Sequence, residues 1–457
     1  MEIPLVFVEP RLGAVGFPGG PGFSYLDSKA SSATKAMLDA SAKWEDEQKR
    51  KLLGALEKEF PDLKLKQYDV DSVDSLEAFL AAEKDAVGYL LVDLQGPSNL
   101  VGEIFRAGKP VVFIGEALGG GGDYLLYHAR GDFDRYPVVG TVTRDLASPQ
   151  ALRKVNYLLA LEKLKQTQAV VISNRDLSSI ADEAKRATGI RFSLVSGDEF
   201  ADKYYHKVTD DEARPVAESW IKSAAFFPEE SAQRDEVMRS ARLYIAMNEI
   251  MRDYKANAIT IDCLGLRSAS STVLDAWPCL GYMQLWLDGS YVPMCEADIN
   301  SLVVALMGKY LLGVNGSATD PVTDEVTGQL TYYHCYLPIN PLPGLKLKYS
   351  IIPAHMGTRY AAVNAEYPVG SPITAVGIDL GSKTMNVHVS KVEGNELSLP
   401  ACGTKVIGRS DVKAIARNWR SGWHRVVLLG DHRDEVNEFG RLLGLKVINE
   451  DLSRGSG

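Results

Sequence analysis

The chain has 457 residues, with 50 Lys plus Arg and 59 Asp plus Glu, so its formal net charge is −9 at pH 7. Hydrophobic residues make up 46% of the chain and charged residues 24%, a composition that excludes a disordered protein. At roughly 150 residues per domain the length indicates about three domains. The acidic balance argues against a nucleic-acid binder, because such proteins need a basic surface that displaces counterions from phosphates.

The sequence predicts neither a membrane span nor an export signal. The most apolar long stretch, residues 301–314, contains Lys309 and is shorter than the roughly 20 residues that cross a bilayer. No basic segment precedes the first apolar run, as a signal peptide would require. The five cysteines are an odd number without CxxC spacing, which favours neither a disulfide framework nor a zinc knuckle. We therefore expect a cytoplasmic protein.

The first part of the chain alternates short apolar runs with helical patterns. Residues 3–8, 86–94 and 110–115 have the continuous apolar character of buried parallel strands, and residues 33–60 and 100–107 have helical spacing. This alternation predicts a Rossmann-like, doubly wound α/β layer over residues 1–165.

A helix over residues 148–165 leads to a second α/β unit, predicted for residues 166–292, with strands at 169–173, 191–195 and 258–262. After residue 293 a helix at 299–312 precedes aromatic and β-branched runs, which predict a β-rich α+β C-terminal domain over residues 293–457. The predicted β-type runs are residues 330–337, 345–352, 373–380, 385–392, 425–430 and 446–449.

Two glycine-rich segments, residues 16–22 and 119–122, are weak signals for phosphate binding. Neither has the Lys-Ser/Thr ending of a P-loop, and neither matches GxGxxG with an acidic residue about 20 positions later. A loop lining a cleft, or a turn that needs positive φ, explains such glycines equally well.

Two acidic residues stand where the second predicted unit gives way to the third. Glu296 and Asp298 precede the helix at 299–312, and carboxylates in that position commonly cap a helix and complement its dipole. Glu296 differs because it follows an apolar strand end beside Cys295, where a surface role is less natural.

Three further polar residues come from distant segments. Asp320 lies in a stretch, TDPVTDE, that predicts a solvated turn. His334 lies inside an aromatic strand and could be an ordinary core histidine, whereas His424 stands beside Trp423 at the start of a strand. If Glu296, Asp320 and His424 converged, they would form an oxygen-rich ligand set suited to Mn²⁺ or Mg²⁺.

Several segments resemble the L-fucose isomerase and L-arabinose isomerase superfamily. The resemblance covers most of the chain and is densest over residues 244–335 and 422–445. The segments that carry it are DLQGPSNLVGEIFRAGKPVVFIGE (93–116), IDCLGL (261–266), PCLGYMQLWLDG (278–289), PMCEADINSLVVALMGKYLLG (293–313), HCYLP (334–338), CGT (402–404) and GWHRVVLLGD (422–431).

The resemblance implies two Rossmann-like layers followed by a β-rich domain, and a divalent metal, usually Mn²⁺ but also Mg²⁺ or Co²⁺. On the matching positions it implies Glu296, Asp320 and His424 as metal ligands. His334 falls where one branch has an additional histidine ligand, and Asp298 is a further candidate for ligand or substrate binding. It also implies a homo-oligomer, a hexamer or another trimer-based assembly.

The reaction implied is aldose–ketose isomerisation of a free pentose, hexose or 6-deoxyhexose through an enediol, with Glu296 and Asp320 as acid and base. Two alternatives stay open at this point. One is a glycoside hydrolase that uses the carboxylate pair on the same scaffold. The other is a sugar-binding protein without catalytic activity. All three predict a small-molecule sugar as partner, with no nucleic acid and no membrane.

Overall fold

The computed structural model describes residues 1–9, 32–96, 98–228, 231–268, 271–354, 359–396 and 402–453. The chain divides into two compact units. One consists of Met1–Glu162 with Glu438–Gly444, and the other consists of Lys163–Asn437 with Leu445–Gly457.

The first unit contains a five-stranded parallel sheet in the order β2-β1-β3-β4-β5. Every residue of β3 and β4 is buried, which explains why these strands have continuous apolar runs instead of an alternating pattern. The strands are β1 (Glu2–Val8), β2 (Lys64–Val70), β3 (Tyr89–Asp93), β4 (Val111–Glu116) and β5 (Val138–Thr143). The helices are α1 (Ser32–Glu59), α2 (Val73–Ala82), α3 (Asn99–Arg106), α4 (Gly121–Ala129), α5 (Asp132–Arg135) and α6 (Pro149–Gln166), the last of which runs into the second unit.

The second unit begins with a four-stranded parallel sheet in the order β11-β8-β6-β7. A short hairpin, β9–β10, follows this sheet's third strand along the chain. The strands are β6 (Gln168–Ile172), β7 (Arg191–Val195), β8 (Ala258–Ile261), β9 (Arg267–Ser268), β10 (Ser271–Thr272) and β11 (Val292–Cys295). The helices are α7 (Ser178–Thr188), α8 (Gly197–Lys203), a 3₁₀ turn (Tyr205–Lys207), α9 (Asp210–Ser223), α10 (Ser231–Asp253), α11 (Cys263–Leu266) and α12 (Cys279–Asp288).

The rest of the second unit is built on an antiparallel barrel. Six strands pair in the order β16-β19-β12-β13-β18-β17, and β17 pairs back with β16 to close the ring, while β20 adds in parallel outside β17. The strands are β12 (Ser317–Asp324), β13 (Gln329–His334), β14 (Tyr349–Ala354), β15 (Arg359–Ala365), β16 (Pro372–Asp379), β17 (Thr384–Asn395), β18 (Thr404–Arg409), β19 (Arg425–Leu429) and β20 (Lys446–Asn449). The helices are α13 (Ile299–Met307), a π-helical turn (Gly308–Leu312), α14 (Val412–Asn418) and α15 (Arg433–Leu442).

The predicted class, parallel α/β sheets followed by a β-rich C-terminal region, is confirmed. The prediction of a solvated turn at Asp320 was wrong, because the stretch belongs to β12, which pairs with both β13 and β19. The turn-like composition is explained by the outer half of that strand, whose residues 322–324 are exposed. The strand β11 extends the second parallel sheet to Cys295, just beyond the predicted limit at 292, and the three-domain division stays a prediction.

Within the described part of the chain, none of the helices combines the length and the apolar character that crossing a bilayer requires.

Candidate functional site

Three adjacent barrel strands bring distant polar residues to one place. β12 pairs on one side with β13, where Asp320 lies opposite Tyr333, and on the other with β19, where Thr319 lies opposite Arg425. His334 is the last residue of β13, and His424 directly precedes β19. Strand pairing therefore places Asp320 between the two histidines, although they are 90 residues apart in sequence.

Glu296 reaches the same place from the parallel sheet. It directly follows β11, and both Glu296 and Ala297 adopt left-handed backbone conformations, with φ of 62° and 51°. Non-glycine residues in this region cost free energy and persist only where the surroundings hold them. Here Arg175 Nη2 donates a hydrogen bond of 2.8 Å to the Glu296 carbonyl, and Arg175 Nε donates one of 2.7 Å to Asp262.

The carboxylates of Glu296 and Asp320 converge on one nitrogen atom of His424. His424 Nε2 lies 3.5 Å from Glu296 Oε2 and 3.4 Å from Asp320 Oδ1, so that the two carboxylates flank the imidazole. His334 Nε2 lies 3.5 Å from the other oxygen of Glu296. One ligand atom each from Glu296, His334 and His424 can be chosen so that all lie within 4.8 Å of one another, a spacing that suits a shared metal ion.

Asp298 contacts the opposite side of the His424 ring. His424 Nδ1 is 2.7 Å from Asp298 Oδ2, and the same carboxylate accepts hydrogen bonds from the backbone N–H and hydroxyl of Ser301 as the N-cap of α13. A carboxylate bonded to one ring nitrogen keeps a proton there, so that in the neutral imidazole the other nitrogen is the one that binds a metal. Asp298 is therefore both a helix cap, as its position predicted, and an orienting partner of His424.

The charges in the site shift the pKa values of its members. Burial opposes the charged form of His424, but the carboxylates of Asp298, Glu296 and Asp320 outweigh burial and raise its pKa to about 9. Burial would raise the pKa of Asp298, but His424 and Ser301 outweigh it and lower that pKa. The pKa of Asp320 is raised, mainly by burial and further by Glu296, against the opposing effect of the two histidines.

His334 is buried without hydrogen-bond partners for its ring nitrogens among the described residues. Its side chain is 2% exposed, and neither ring nitrogen has a hydrogen-bond partner in the described part of the chain. Buried polar atoms without partners are rare in folded proteins and call for a specific reason. The two carboxylates and two imidazoles of the site are the mixed oxygen and nitrogen donors that Mn²⁺ and related divalent ions accept. The residues present therefore fit such an ion.

The cluster lies at the side of a cavity of about 760 Å³ in the second unit. This volume is within the usual range of small-molecule binding sites. The residues that line the cavity are Leu264, Glu296, Asp298, Asn300, Ser301, Asp320, Tyr333, Ile378, Asp379, Cys402, Ser421, Gly422, Trp423 and His424.

The structure thus brings together all five residues singled out from the sequence: Glu296, Asp298, Asp320, His334 and His424. Sequence reasoning missed Arg175, which supports Glu296, and Tyr333 on the cavity wall. Arg175 lies three residues beyond the end of β6, at the carboxyl edge of the same parallel sheet as Glu296. Ligands commonly bind at this edge of α/β sheets, so the position of Arg175 after β6 could have identified it as a candidate site residue.

The glycine-rich segments have different outcomes. Residues 16–22 lie outside the described residues. Gly119 and Gly120 form the turn into α4, and Gly121 and Gly122 are the first residues of that helix. None of the four has a positive φ, so these glycines are required for space: a Cβ at Gly119 would lie 1.8 Å from the carbonyl oxygen of Leu94. The backbone of this turn packs directly on the end of β3.

No protein-family model matches this chain, and no curated protein matches it in sequence. The likeness to the fucose and arabinose isomerases therefore stays a prediction, and the geometry of the site carries the functional inference.

Proposed function

We propose that the protein is a metal-dependent ketol isomerase that interconverts a free aldose and the corresponding ketose. The observation that carries this proposal is the placement of two carboxylates around His424 Nε2, at 3.5 Å and 3.4 Å, at the side of a cavity large enough for a sugar. The two parallel sheets and the barrel that follows them are the architecture expected of the fucose and arabinose isomerase superfamily, and we assign the fold to that superfamily as part of the same proposal.

Glu296, Asp320 and His424 would hold the ion, with His334 as a fourth candidate ligand. The unpartnered nitrogens of buried His334 support this assignment, because a bound cation would give one of them a partner. Mn²⁺, Mg²⁺ or Co²⁺ would supply Lewis acidity, lowering the pKa of a sugar hydroxyl and stabilising negative charge on its oxygens.

The chain's own residues would move the protons. Isomerisation transfers a proton between C1 and C2 of the sugar and exchanges protons between O1 and O2. A carboxylate oxygen of Glu296 accepts the carbon-bound proton and returns it to the neighbouring carbon. Asp320, the second carboxylate on the cavity wall, exchanges a proton with a sugar oxygen.

A glycoside hydrolase would use a carboxylate pair without a metal. In this site both carboxylates share an imidazole partner, and a second imidazole is buried against Glu296. Two histidines beside the acids serve a cation better than they serve a hydrolytic water, which favours the isomerase. A binding protein without catalytic activity would not need two carboxylates placed together on the cavity wall. Homo-oligomer formation stays a prediction of the resemblance.

The test is a screen of free aldoses and aryl glycosides, with Mn²⁺ present and after treatment with EDTA. We expect conversion of at least one aldose to a ketose, loss of that activity on chelation, and recovery when Mn²⁺ is returned. Activity that is indifferent to chelation, or cleavage of aryl glycosides in place of isomerisation, would contradict the proposal. Calorimetric titration of the metal-free protein with Mn²⁺ measures its affinity for the ion independently of any substrate.

A further inference from the structure

One large aromatic side chain on the cavity wall is left exposed. Trp423 immediately precedes His424, lines the cavity, and is 52% exposed. An exposed tryptophan forgoes the burial of a large apolar surface, which folding ordinarily favours. Because Trp423 lies beside His424, a candidate metal ligand, and not elsewhere on the surface, its exposure indicates a role in this cavity.

The indole ring is held in a fixed orientation on the strands that carry the site. Its Nε1 donates a hydrogen bond of 2.9 Å to the carbonyl of Pro321, the residue after Asp320. Its ring meets Tyr333, the residue before His334, edge to face at a centroid distance of 6.1 Å and an angle of 87°. The ring is therefore fixed relative to Asp320 and His334 by direct contacts with their neighbours.

The turn that presents Trp423 is itself constrained. Ser421 and Gly422 both adopt left-handed conformations, with φ of 54° and 61°. The carboxylate of Asp379 is hydrogen-bonded to Ser382 and to the side chain of Ser421, and together these bonds lower the pKa of Asp379 against the effect of burial. The bond that the backbone N–H of Ser382 donates to Asp379 is 3.1 Å long. This support gives the exposed ring a preorganised position, which reduces the entropic cost of binding a ligand.

The charge of the wall restricts what can bind there. Four carboxylates line the cavity, from Glu296, Asp298, Asp320 and Asp379. Among the described residues that line it there is no lysine or arginine. The four acids outnumber the two positive charges that a divalent ion supplies, so an anionic ligand would meet repulsion without a compensating cation.

We infer that Trp423 is a specificity-determining platform that binds the apolar C–H face of an uncharged sugar, and that the acidic wall rejects phosphorylated sugars and sugar acids. This inference rests on the proposed function, since it describes how the same cavity selects its substrate. Sugars without charged groups present both hydroxyl oxygens, which reach the ligand cluster, and a C–H surface, which an indole face binds well. Phosphate esters would place a dianion near Asp379 or Glu296.

The experiment compares neutral D- and L-aldopentoses, aldohexoses and 6-deoxyhexoses with the terminal phosphate esters of the same sugars, on protein loaded with Mn²⁺. Binding is followed by tryptophan fluorescence and by KM. We expect neutral sugars to bind and their phosphate esters to bind more weakly. With the best neutral sugar, Trp423→Ala should weaken binding by about tenfold, the size of one aromatic contact. Trp423→Phe, which keeps an aromatic face, should recover most of that loss.

Phe226→Ala is the matched control, because Phe226 is 56% exposed in the same unit and does not line the cavity. Calorimetry with Mn²⁺ should give the same affinity for wild type and both Trp423 variants. Tighter binding of a phosphate ester than of the neutral sugar, or an unchanged sugar affinity in Trp423→Ala, overturns the inference while leaving the metal site intact. Failure of the wild-type protein to bind Mn²⁺, or to bind any neutral sugar, would instead contradict the proposed function.

Discussion

Two groups of acidic side chains stand at the carboxyl ends of parallel strands, one in each unit, and their surroundings differ. In the first unit Asp93 ends β3 and lies beside Asp123 of α4, and both are fully buried. The side chains of Asp93 and Asp123 interact with each other, and one oxygen of Asp123 accepts a hydrogen bond of 2.8 Å from the backbone N–H of Ser98. In the second unit Glu296 follows β11 and shares His424 with Asp320 beside a cavity.

The glycine backbone closes the first group off from solvent. A Cβ at Gly120 would lie 2.8 Å from the Asp93 carboxyl carbon, and one at Gly96 would lie 3.2 Å from that of Asp123. Burial, with the neighbouring carboxyl of Asp123, raises the pKa of Asp93 well above its ordinary value, and burial raises the pKa of Asp123 to about 6. One proton held between the two acids removes the repulsion that two buried carboxylates would otherwise suffer.

In the second group, imidazoles and a cavity adjoin the acids, whereas in the first group glycine backbone packs against them. Its negative charge can be balanced by a cation and approached by a substrate. An acidic residue at the end of a parallel strand is therefore not a catalytic acid by virtue of that position alone. The neighbouring side chains determine whether a pair of acids shares a proton or is available to bind a ligand.

The largest expected effect is at Glu296. Glu296→Gln removes both the proton acceptor and one negative charge that would hold the cation, so turnover should fall about 100-fold or more while the fold is retained. Steady-state kinetics and circular dichroism check this. Glu325→Gln, at an exposed position after β12, is the matched control and should leave kcat unchanged. A variant that kept more than a tenth of wild-type activity would remove Glu296 from the mechanism.

The fold was predictable where a physical signal was local. Buried parallel strands such as β3, β4, β6 and β8 have continuous apolar runs, and those runs identified them. β12 was missed because half of it is exposed and carries Asp, Thr and Pro, residues typical of turns. Its pairing with β13 and β19 comes from segments 5 to about 100 residues away, which local composition does not report.

The candidate site was only partly predictable for the same reason. Residue chemistry and resemblance singled out Glu296, Asp320, His334 and His424, but their meeting depends on the pairing of β12 with β13 and β19 and on the position of the end of β11. The contact of Asp298 with His424 spans 126 residues and could not be inferred from a capping pattern. Arg175 acts on a backbone carbonyl, an interaction that leaves no pattern in the sequence around Glu296.

The second prediction concerns the buried acid pair of the first unit. Because the folded pKa values of Asp93 and Asp123 are raised above the unfolded value of about 3.9, the proton stabilises the folded state at low pH. That stability should be lost progressively as pH rises from about 4, the ordinary value of an aspartate, through the folded pKa values of the pair. The charge of Arg130 lowers the pKa of Asp123 and therefore reduces this loss of stability.

Asp93→Asn sharpens this test, because the amide donates a hydrogen bond to Asp123 without requiring a bound proton. Urea unfolding at a series of pH values should give a flatter profile for this variant than for wild type. Asp74→Asn, at an exposed position in the first turn of α2, should keep the wild-type slope. Parallel profiles for wild type and Asp93→Asn would show that the two acids do not share a proton.

The smallest expected effect is at Asp298, and it isolates electrostatics from helix capping. Asn caps helices about as well as Asp, so Asp298→Asn should keep the N-terminus of α13 while removing the charge that faces His424 Nδ1. Loss of such an orienting carboxylate lowers metal affinity by about tenfold or somewhat more. Asp411→Asn is the matched control, since Asp411 caps α14 with the same kind of bond, 2.9 Å to the Ala414 N–H, outside the cavity lining. Calorimetry with Mn²⁺ should separate the two variants. Equal affinities would mean that Asp298 serves only to cap the helix, and the contrast between the two acidic groups would then rest on Glu296, Asp320 and the histidines alone.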